Sequence, residues 1–377
     1  MTSKITRAQA FVLEHPVTVA TGPAAISYRT RGCVLVRLED GDGYTGWGET
    51  YLGPGVGATA AELSRILIGQ DARAGRRTLD RVLELGSDSL AVSALTIALE
   101  DLRGRELGLS VADLYGGRLR HSARAYASSG GYREGVEPEQ SYAEDVAAAI
   151  EDGFSAAKLR IGRYHPHREL AILEQVRRDT DADFELMVDA NGAYSVPRAL
   201  EVGRALGRLG YRWFEEPLIR FRSGMAYPGY EQLAGLGIAV AAAEGLASRG
   251  AFDEFLRRGA ADIIQPDVAI CGGVGEARFI AELAALRGRP TVPHAWGGAV
   301  LLAATLQLLA VLPEPSELLG IDSPLLEYDR FENRMRTELC DHDFAVVEGY
   351  VAVPDGPGLG VEVDLDAVLA LGHQPVG

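Results

Sequence analysis

Cysteine is scarce in this sequence. Cys33, Cys271 and Cys340 are the only three among 377 residues, and no two of them have the spacing of a metal-binding pair. A low and odd number of widely separated cysteines argues against a disulfide framework and favours reduced thiols. We therefore expect a cytoplasmic protein.

Positive charge is also in short supply. Lysine and arginine together number 37, against 53 aspartates and glutamates, and the formal net charge is −16. Nucleic acids and anionic membranes are bound by basic surfaces, so we expect neither as a partner. An acidic protein that binds a small anionic substrate must hold it with local cations, and the candidates are a metal ion, Lys158 and Arg160.

Long apolar runs are missing as well. No segment is long enough to span a bilayer, and the N-terminus leads into a strand pattern instead of the apolar core of a signal peptide. With 47% hydrophobic and 24% charged residues, the composition is that of a globular protein. A chain of 377 residues is too long for one ordinary core and long enough for a barrel with a smaller domain.

The apolar pattern divides the chain into three parts. Residues 1–120 predict an α+β domain in which antiparallel strands, with a hairpin turn at Asp40–Gly43, precede a mostly helical stretch. In residues 121–330, short apolar runs alternate with helical patterns of about 10–15 residues, as in a parallel (β/α) barrel. Residues 331–377 predict a C-terminal segment with strands that return to the N-terminal domain. The expected barrel strands begin near residues 123, 156, 184, 211, 238, 262, 290 and 318.

Three acidic residues lie at the ends of three successive expected strands. They are Asp189, Glu215 and Glu244, and their spacing along the chain matches one strand–helix unit per step. The carboxyl ends of barrel strands share one mouth, where such barrels keep their chemistry, so we expect the three carboxylates to meet there. Three carboxylates so close repel one another unless a cation lies among them. Hard oxygen ligands in a partly open site favour Mg²⁺.

Two cations lie on the second expected strand. Lys158 and Arg160 are two residues apart, so their side chains share one face of the strand, which here is the barrel interior. As an alternative, they could pair with acidic residues in a purely structural buried network. Their position opposite three carboxylates favours a functional role.

An aspartate and a histidine end the sixth and seventh expected strands. Asp267 and His294 are again one strand–helix unit apart, within reach of a hydrogen bond. A carboxylate on one imidazole nitrogen fixes the tautomer and makes the other nitrogen a general base. A lone histidine is more often a core residue, but this one lies beside an aspartate at a strand end. We therefore expect His294 to be the base.

Glu327 follows the eighth expected strand. It could donate a proton or a hydrogen bond to an oxyanion in the barrel mouth. In the alternative interpretation, Glu327-Tyr-Asp-Arg330 is an ordinary salt-bridged surface turn.

Seven short motifs carry a family resemblance: Lys-x-Arg at 158–160, Asp-Ala-Asn at 189–191, Phe-Glu-Glu-Pro at 214–217, Glu-Gly at 244–245, Gln-Pro-Asp at 265–267, Val-Pro-His-Ala-Trp-Gly at 292–297 and Leu-Glu-Tyr-Asp at 326–329. Taken together, they resemble the enolase superfamily, mandelate racemase subgroup, over essentially the whole chain. Within it, the stretches at 68–71, 292–298 and 327–330 are most similar to D-galactarolactone cycloisomerases and acid-sugar dehydratases.

The resemblance implies a fold. It is α/β, with a C-terminal modified TIM (β/α) barrel and an N-terminal α+β capping domain completed by the C-terminal segment. The capping domain would supply specificity through the loops at 21–31 and 51–58.

The resemblance also implies roles for the residues of the mouth. The three strand-end carboxylates would hold Mg²⁺, which would bind the substrate carboxylate and stabilise an enediolate. Asp267 and His294 would be the base or later acid on one face, and Glu327 would support the enediolate oxygen. Lys158 would be the electrostatic partner of the substrate carboxylate.

Arg160 departs from the subgroup members that work on both faces of their substrate. Those members have a second lysine at this place as the opposite base, whereas a guanidinium stays protonated and is a poor base. The sequence therefore favours one-base chemistry: a Mg²⁺-dependent lyase or isomerase that removes the α-proton of an acid sugar or its lactone and eliminates a β-substituent. A racemase or epimerase of a 2-hydroxy or amino acid is the alternative. We also expect a homo-oligomer.

Overall fold

Two sheets and the helices around them make up the fold. The computed structural model describes residues 4–74, 76–85, 88–219, 227–313 and 324–372. The strands are β1 (Ile5–Gly22), β2 (Tyr28–Asp40), β3 (Thr45–Tyr51), β4 (Ser122–Ser128), β5 (Tyr132–Arg133), β6 (Ala156–Arg160), β7 (Glu185–Asp189), β8 (Trp213–Glu215), β9 (Ala239–Ala242), β10 (Ile263–Ile264), β11 (Leu326–Asp329), β12 (Val346–Val347) and β13 (Tyr350–Ala352).

Helices pack around both sheets. None of those in the described ranges combines the length and the apolar character needed to cross a membrane. The helices are α1 (Val56–Ser64), α2 (Arg76–Leu85), α3 (Ser89–Leu107), α4 (Val111–Leu114), α5 (Pro138–Glu151), α6 (Pro166–Asp179), α7 (Val196–Arg208), α8 (Arg249–Arg257), α9 (Val274–Ala285), α10 (Ala299–Val311), α11 (Arg334–Thr337) and α12 (Leu365–Leu371).

The N-terminal sheet has the strand order β3-β2-β1-β5. β2 and β3 form the expected antiparallel hairpin, with Cys33 opposite Tyr51 and Glu39 opposite Thr45. The long helix α3 packs against β3 so closely that the strand needs glycine there. A Cβ built on Gly48 would lie well inside van der Waals distance of the carbonyl oxygen of Ala94 in α3.

A parallel barrel follows, and the predicted fold class is confirmed. Its strands run in the order β10, β9, β8, β7, β6, β4 and β11. The seventh expected strand, near residue 290, is reduced to a bridge between Thr291 and Ile264. The eighth expected strand begins near residue 318, which lies outside the described residues, and β11 is the described strand that pairs with β4.

The register of the barrel strands aligns their carboxyl ends. Arg160 in β6 pairs with Asp189 in β7, and Asp189 pairs in turn with Glu215 in β8. Glu215 is opposite Ala241, three residues before Glu244. Neighbouring strands therefore deliver their polar side chains to one level of the mouth.

Two buried glutamates join the N-terminal part to barrel helices. Glu49, in β3, accepts hydrogen bonds from the amides of Gly298 at 2.5 Å and Leu301 at 2.9 Å, at the start of α10. Glu100, in α3, accepts hydrogen bonds from the amides of Val274 at 3.1 Å and Gly275 at 2.8 Å, at the start of α9. The first amides of a helix have no partner within it, and a carboxylate satisfies them and complements the helix dipole. Each glutamate thus caps a helix of the other domain.

The C-terminal segment contacts both parts of the molecule. β13 pairs with the start of β4, whereas the Leu359 amide donates to Asp101 in α3 at 2.8 Å. Gly372, just after α12, bridges to Leu13 in β1. The second strand expected in this segment amounts to one bridge at Val363. The domain boundaries at residues 120 and 330 stay predictions.

Gly48→Ala is expected to lower the free energy of unfolding. The added methyl group must push α3 away from β3, and overpacking of this kind costs about 1–3 kcal/mol. Gly250→Ala is the matched control, because a Cβ there meets only the Ser248 hydroxyl at 4.0 Å. In the first turn of α8 this change should raise stability by about 0.5–1 kcal/mol. Urea unfolding followed by circular dichroism measures both, and equal stability of the two variants would contradict the packing argument.

Candidate active site

Three carboxylates meet at the barrel mouth. Asp189 ends β7, Glu215 ends β8, and Glu244 comes two residues after β9. One oxygen of each lies within 4.8 Å of the others, and all three residues are buried. The sequence predicted this convergence from spacing alone. A set of hard anionic oxygens at this separation fits a divalent cation with oxygen preference.

The backbone is strained where these ligand strands end. Asn191, Glu216 and Ala243 have positive φ values of 46°, 42° and 92°, a region that non-glycine residues rarely adopt. The carboxylate of Glu216 holds the turn together, because it accepts a hydrogen bond from the Ala243 amide at 3.0 Å and another from the Tyr230 hydroxyl at 3.0 Å. Glu216 therefore supports the strand ends, and its neighbour Glu215 points into the mouth.

Lys158 is fully buried among the carboxylates. Its Nζ forms an ion pair with Glu215, lies 2.7 Å from Oε1 of Glu327 and 3.9 Å from Oδ2 of Asp189. The ring of Tyr126 lies 5.5 Å from the ammonium group. A buried charge is tolerated only where opposite charges surround it, and this lysine has them on three strands.

Arg160 lies on the same face of β6, as its spacing from Lys158 predicts. Its Nη1 pairs with Asp189, and its Nη2 lies 3.3 Å from the Ser128 hydroxyl and 3.9 Å from Glu327. The side chain also lines the cavity above the carboxylates. The guanidinium thus binds Asp189 in β7 and Ser128 in β4 through two different nitrogens of its planar fork.

His294 is bound to Asp267. Its Nδ1 lies 2.5 Å from Oδ2 of Asp267, whose other oxygen accepts from the Ala269 amide at 2.7 Å. Because an ionised carboxylate can only accept hydrogen bonds, Nδ1 donates to Asp267, and Nε2 is the nitrogen that carries the lone pair whenever the ring is neutral. Nε2 lies 3.5 Å from Oε2 of Glu244 and 4.0 Å from Oε2 of Glu327.

The charges around His294 set its protonation. Burial disfavours the imidazolium, but the carboxylates of Glu244, Glu327 and Asp267 outweigh burial and raise the pKa of His294 to about 10. A cation held by the strand-end carboxylates would cancel part of their charge and lower this pKa toward the neutral range. The base strength of the imidazole therefore depends on what the carboxylates bind.

Glu327 lies within β11, whereas the sequence placed it after the strand. Oε1 of Glu327 accepts from the Ser128 hydroxyl at 2.7 Å, and Oε2 accepts from the Ala295 amide at 3.2 Å. Burial favours the neutral acid, but Lys158 and His294 together keep the pKa of Glu327 well below its usual range. In this arrangement the carboxylate accepts hydrogen bonds, and its role as a donor to an oxyanion stays a prediction.

Sequence reasoning missed three polar contacts of the site. Tyr51 donates to Oδ2 of Asp267 at 2.5 Å, and Gln265 donates to Oε2 of Glu215 at 2.8 Å. Trp213 also donates to Glu215, from its indole nitrogen at 3.1 Å. Trp213 lies two positions before the predicted ligand Glu215, and Gln265 two before Asp267, so strand alternation could have found both. Tyr51 gave no such signal, because it lies in the hairpin of the N-terminal domain.

A cavity of about 690 Å³ opens above these groups. This volume is large enough to hold a small molecule. Arg160, Glu244 and His294 line its floor, and the segments at 21–31 and 51–52 form one wall, as the resemblance implies for the capping loops. Lining residues with polar side chains include Thr21, Arg31, Tyr51, Arg160, Glu244 and His294.

Comparisons with known proteins agree with this geometry. Residues 4–116 match the model of the mandelate racemase / muconate lactonizing enzyme N-terminal domain, and residues 141–367 match the enolase C-terminal domain-like family. D-galactarolactone cycloisomerase of Agrobacterium fabrum is 37% identical, over 97% of this chain and 98% of that protein.

Two solved structures extend the similarity. The 3,6-anhydro-D-galactonate cycloisomerase of Zobellia galactanivorans is 29% identical with a TM-score of 0.84, over 98% of this chain and 100% of that one. L-talarate dehydratase of Polaromonas sp. JS666, solved with Mg and L-glucarate, is 26% identical with a TM-score of 0.84, over 99% of this chain and 98% of that one. Two family models that together span both domains, and these relatives, lead to one conclusion: the chain belongs to the enolase superfamily, in its mandelate racemase subgroup.

Proposed function

We propose that this protein is a Mg²⁺-dependent lyase or isomerase that removes the proton α to the carboxylate of an acid sugar or its lactone. A β-substituent then leaves, and the product is a 2-keto-3-deoxy acid. The observation that carries the proposal is the meeting of three strand-end carboxylates within 4.8 Å, with Nε2 of His294 at 3.5 Å from one of them. The similarity to a lactone cycloisomerase and to acid-sugar dehydratases supports the substrate class.

Asp189, Glu215 and Glu244 would hold the metal. The donor set fits Mg²⁺, which is bound by hard oxygens, and a related dehydratase was solved with Mg and an acid sugar. When bound, the ion would supply Lewis-acid stabilisation of the negative charge that develops on the substrate carboxylate. Lys158 contributes a second positive charge, because its ammonium group lies among the same carboxylates, paired with Glu215 and 2.7 Å from Glu327.

His294 would remove the α-proton with Nε2. Asp267 holds the opposite nitrogen, so the imidazole ring keeps the tautomer that a base needs, and it stabilises the imidazolium that forms. The electron pair of the broken C–H bond shifts into the carboxylate, which becomes an enediolate.

The elimination needs an acid for the leaving group. The imidazolium of His294 can return its proton to the departing oxygen, which is hydroxide in a dehydration and the ring oxygen in a lactone opening. The enol that remains takes a proton at the β-carbon and tautomerises to the 2-keto acid. In a dehydration the products are water and the keto acid, whereas a lactone gives an isomer.

Arg160 would limit the chemistry to one face of the substrate. It is permanently charged and forms an ion pair with Asp189, so it can stabilise an oxyanion but does not accept a proton. A racemase needs a base and an acid on opposite faces. For this reason we place racemisation behind elimination.

A panel of acid sugars and lactones tests the proposal directly. Each compound is incubated with the protein and Mg²⁺, and 2-keto-3-deoxy product is measured. We expect turnover of at least one aldaric or aldonic acid or lactone. Absence of product from the whole panel, with folded protein, would contradict the proposed function.

Glu215→Gln should weaken Mg²⁺ binding by roughly 100-fold or more, since loss of a supporting contact alone costs 10–100-fold. Isothermal titration calorimetry measures the dissociation constant, and the rise of melting temperature with Mg²⁺ checks it independently. The control is Glu282→Gln, which removes a partly exposed carboxylate that pairs with Arg278 on α9. Unchanged Mg²⁺ affinity in Glu215→Gln would overturn the metal assignment.

His294→Asn should abolish exchange of the substrate α-proton with deuterated solvent, because the described residues that line the cavity include no other histidine and no lysine. Asp267→Asn should slow exchange by about 100-fold, within the usual share of general-base catalysis. His167→Asn, at an exposed position in α6, is the control. Proton NMR in D₂O follows the exchange. Persistent exchange in His294→Asn would transfer the base role to another group such as Lys158.

Arg160→Lys should lower the elimination rate by roughly 10-fold or more. Lysine keeps the charge but cannot contact Asp189 and Ser128 together, and a hydrogen bond between charged groups contributes about 1.5–3 kcal/mol.

The wild type should process substrates of one α-configuration and incorporate deuterium without inverting that centre. Each enantiomer of a 2-hydroxy acid is incubated in D₂O and followed by NMR. Interconversion of both enantiomers by the wild type would place racemisation first.

A further inference from the structure

A tyrosine of the N-terminal domain reaches the His294–Asp267 pair. Tyr51 ends β3, and its hydroxyl lies 2.5 Å from Oδ2 of Asp267, the same oxygen that binds Nδ1 of His294. The hydroxyl lies 3.4 Å from Nδ1 itself. One carboxylate oxygen of Asp267 therefore has two donors, one from each domain.

The hydrogen bonds around the Tyr51 hydroxyl direct its O–H bond toward Asp267. The backbone amide of Trp296 donates to the hydroxyl oxygen at 3.2 Å, which occupies one of its lone pairs. Nδ1 of His294 is itself a donor to Asp267, so it does not compete for the hydroxyl proton. Burial, and then the charge of Asp267, raise the pKa of Tyr51 well above its usual value, which keeps it a donor.

A second side chain from the same domain holds the segment that carries the base. The guanidinium of Arg31, in β2, stacks on the ring of Trp296 at 3.8 Å and donates to the Trp296 carbonyl at 3.1 Å. It also binds Asp329, at the end of β11, at 2.8 Å. Residues 294–296 are thus held between Arg31 and Tyr51, although they follow a strand of the barrel.

We infer that Tyr51 is a positioning residue for the His294–Asp267 pair, so that the N-terminal domain orients the base as well as lining the cavity. The inference rests on the proposed role of His294 as the base. Tyr51 fixes the Asp267 carboxylate so that its Oδ2 faces Nδ1, and this directs Nε2 toward the carboxylate floor. A misplacement of about 1 Å at such a group costs on the order of 100-fold in rate.

The test is Tyr51→Phe, which keeps the ring and removes only the hydroxyl. In the Mg²⁺-loaded enzyme, with the panel compound that the wild type converts fastest, we expect kcat to fall about 10- to 100-fold. KM should stay within about twofold, because the hydroxyl faces Asp267 and not the substrate. Tyr44→Phe is the control, since Tyr44 is 43% exposed in the same hairpin. A rise in KM with unchanged kcat would make Tyr51 a substrate contact and overturn the inference.

A double-mutant cycle adds a second criterion. Once Asp267→Asn has removed the partner, Tyr51→Phe should lower kcat by less than about twofold further, because coupled residues are not additive. Fully additive losses would show that the hydroxyl acts elsewhere. A large drop in the melting temperature of Tyr51→Phe, relative to Tyr44→Phe, would assign the hydroxyl to folding and also overturn the inference.

An NMR measurement separates this inference from the proposed function, because it needs no substrate. In ¹⁵N-histidine-labelled protein with Mg²⁺, the Nδ1 proton of His294 is assigned by its loss in His294→Asn. We expect Tyr51→Phe to move this resonance downfield, because Oδ2 of Asp267 then serves one donor instead of two. An unmoved resonance would overturn the inference, even if the panel yields turnover. A failed panel with a moved resonance would contradict the proposed function alone.

Discussion

Crowded negative charge at the barrel mouth is the constraint on which the site depends. Five strands or the turns after them deliver a carboxylate to the same level, and buried carboxylates repel strongly where water cannot screen them. Lys158 and Arg160, both on β6, offset this charge, and each contacts acidic groups from more than one strand. The buried acidic residues are Asp189, Glu215, Glu244, Asp267 and Glu327. Such a cluster has no value as packing, since apolar side chains would fill the space at lower cost. The cluster is therefore explained by the chemistry that its charged groups can perform.

The sequence predicted much of this arrangement because the barrel repeats. Each strand–helix unit has nearly the same length, so a carboxylate at one strand end implies the place of the next, and Asp189, Glu215 and Glu244 were found in this way. The rule fails where the unit is irregular. The seventh strand shrinks to a bridge at Thr291, and Glu327 lies inside its strand instead of after it.

Contacts between the domains were beyond sequence reasoning. Tyr51 and Asp267 are 216 positions apart, and no periodicity relates a hairpin residue to a barrel strand end. The same holds for Arg31, whose neighbour Trp296 belongs to the base-bearing segment. Local patterns specify the elements, but the way two domains pack decides which side chains meet across them.

The two helix-capping glutamates have a mechanical consequence. Glu49 and Glu100 fasten β3 and α3 to the starts of two different barrel helices, at two separate points of the interface. With two attachment points, the N-terminal domain cannot rotate about one without breaking the other. Swinging it aside would leave both carboxylates and the helix amides that they bind without hydrogen-bond partners. A hinge motion of the whole N-terminal domain would therefore cost much free energy as a way for a ligand to enter the cavity. The stretch between β1 and β2 carries neither attachment. One side chain holds it, because the Arg163 guanidinium donates to the carbonyl oxygens of Pro23, Ala24 and Ile26 at 2.8–3.1 Å. Opening the cavity there would break the hydrogen bonds of Arg163 and leave both glutamate caps in place.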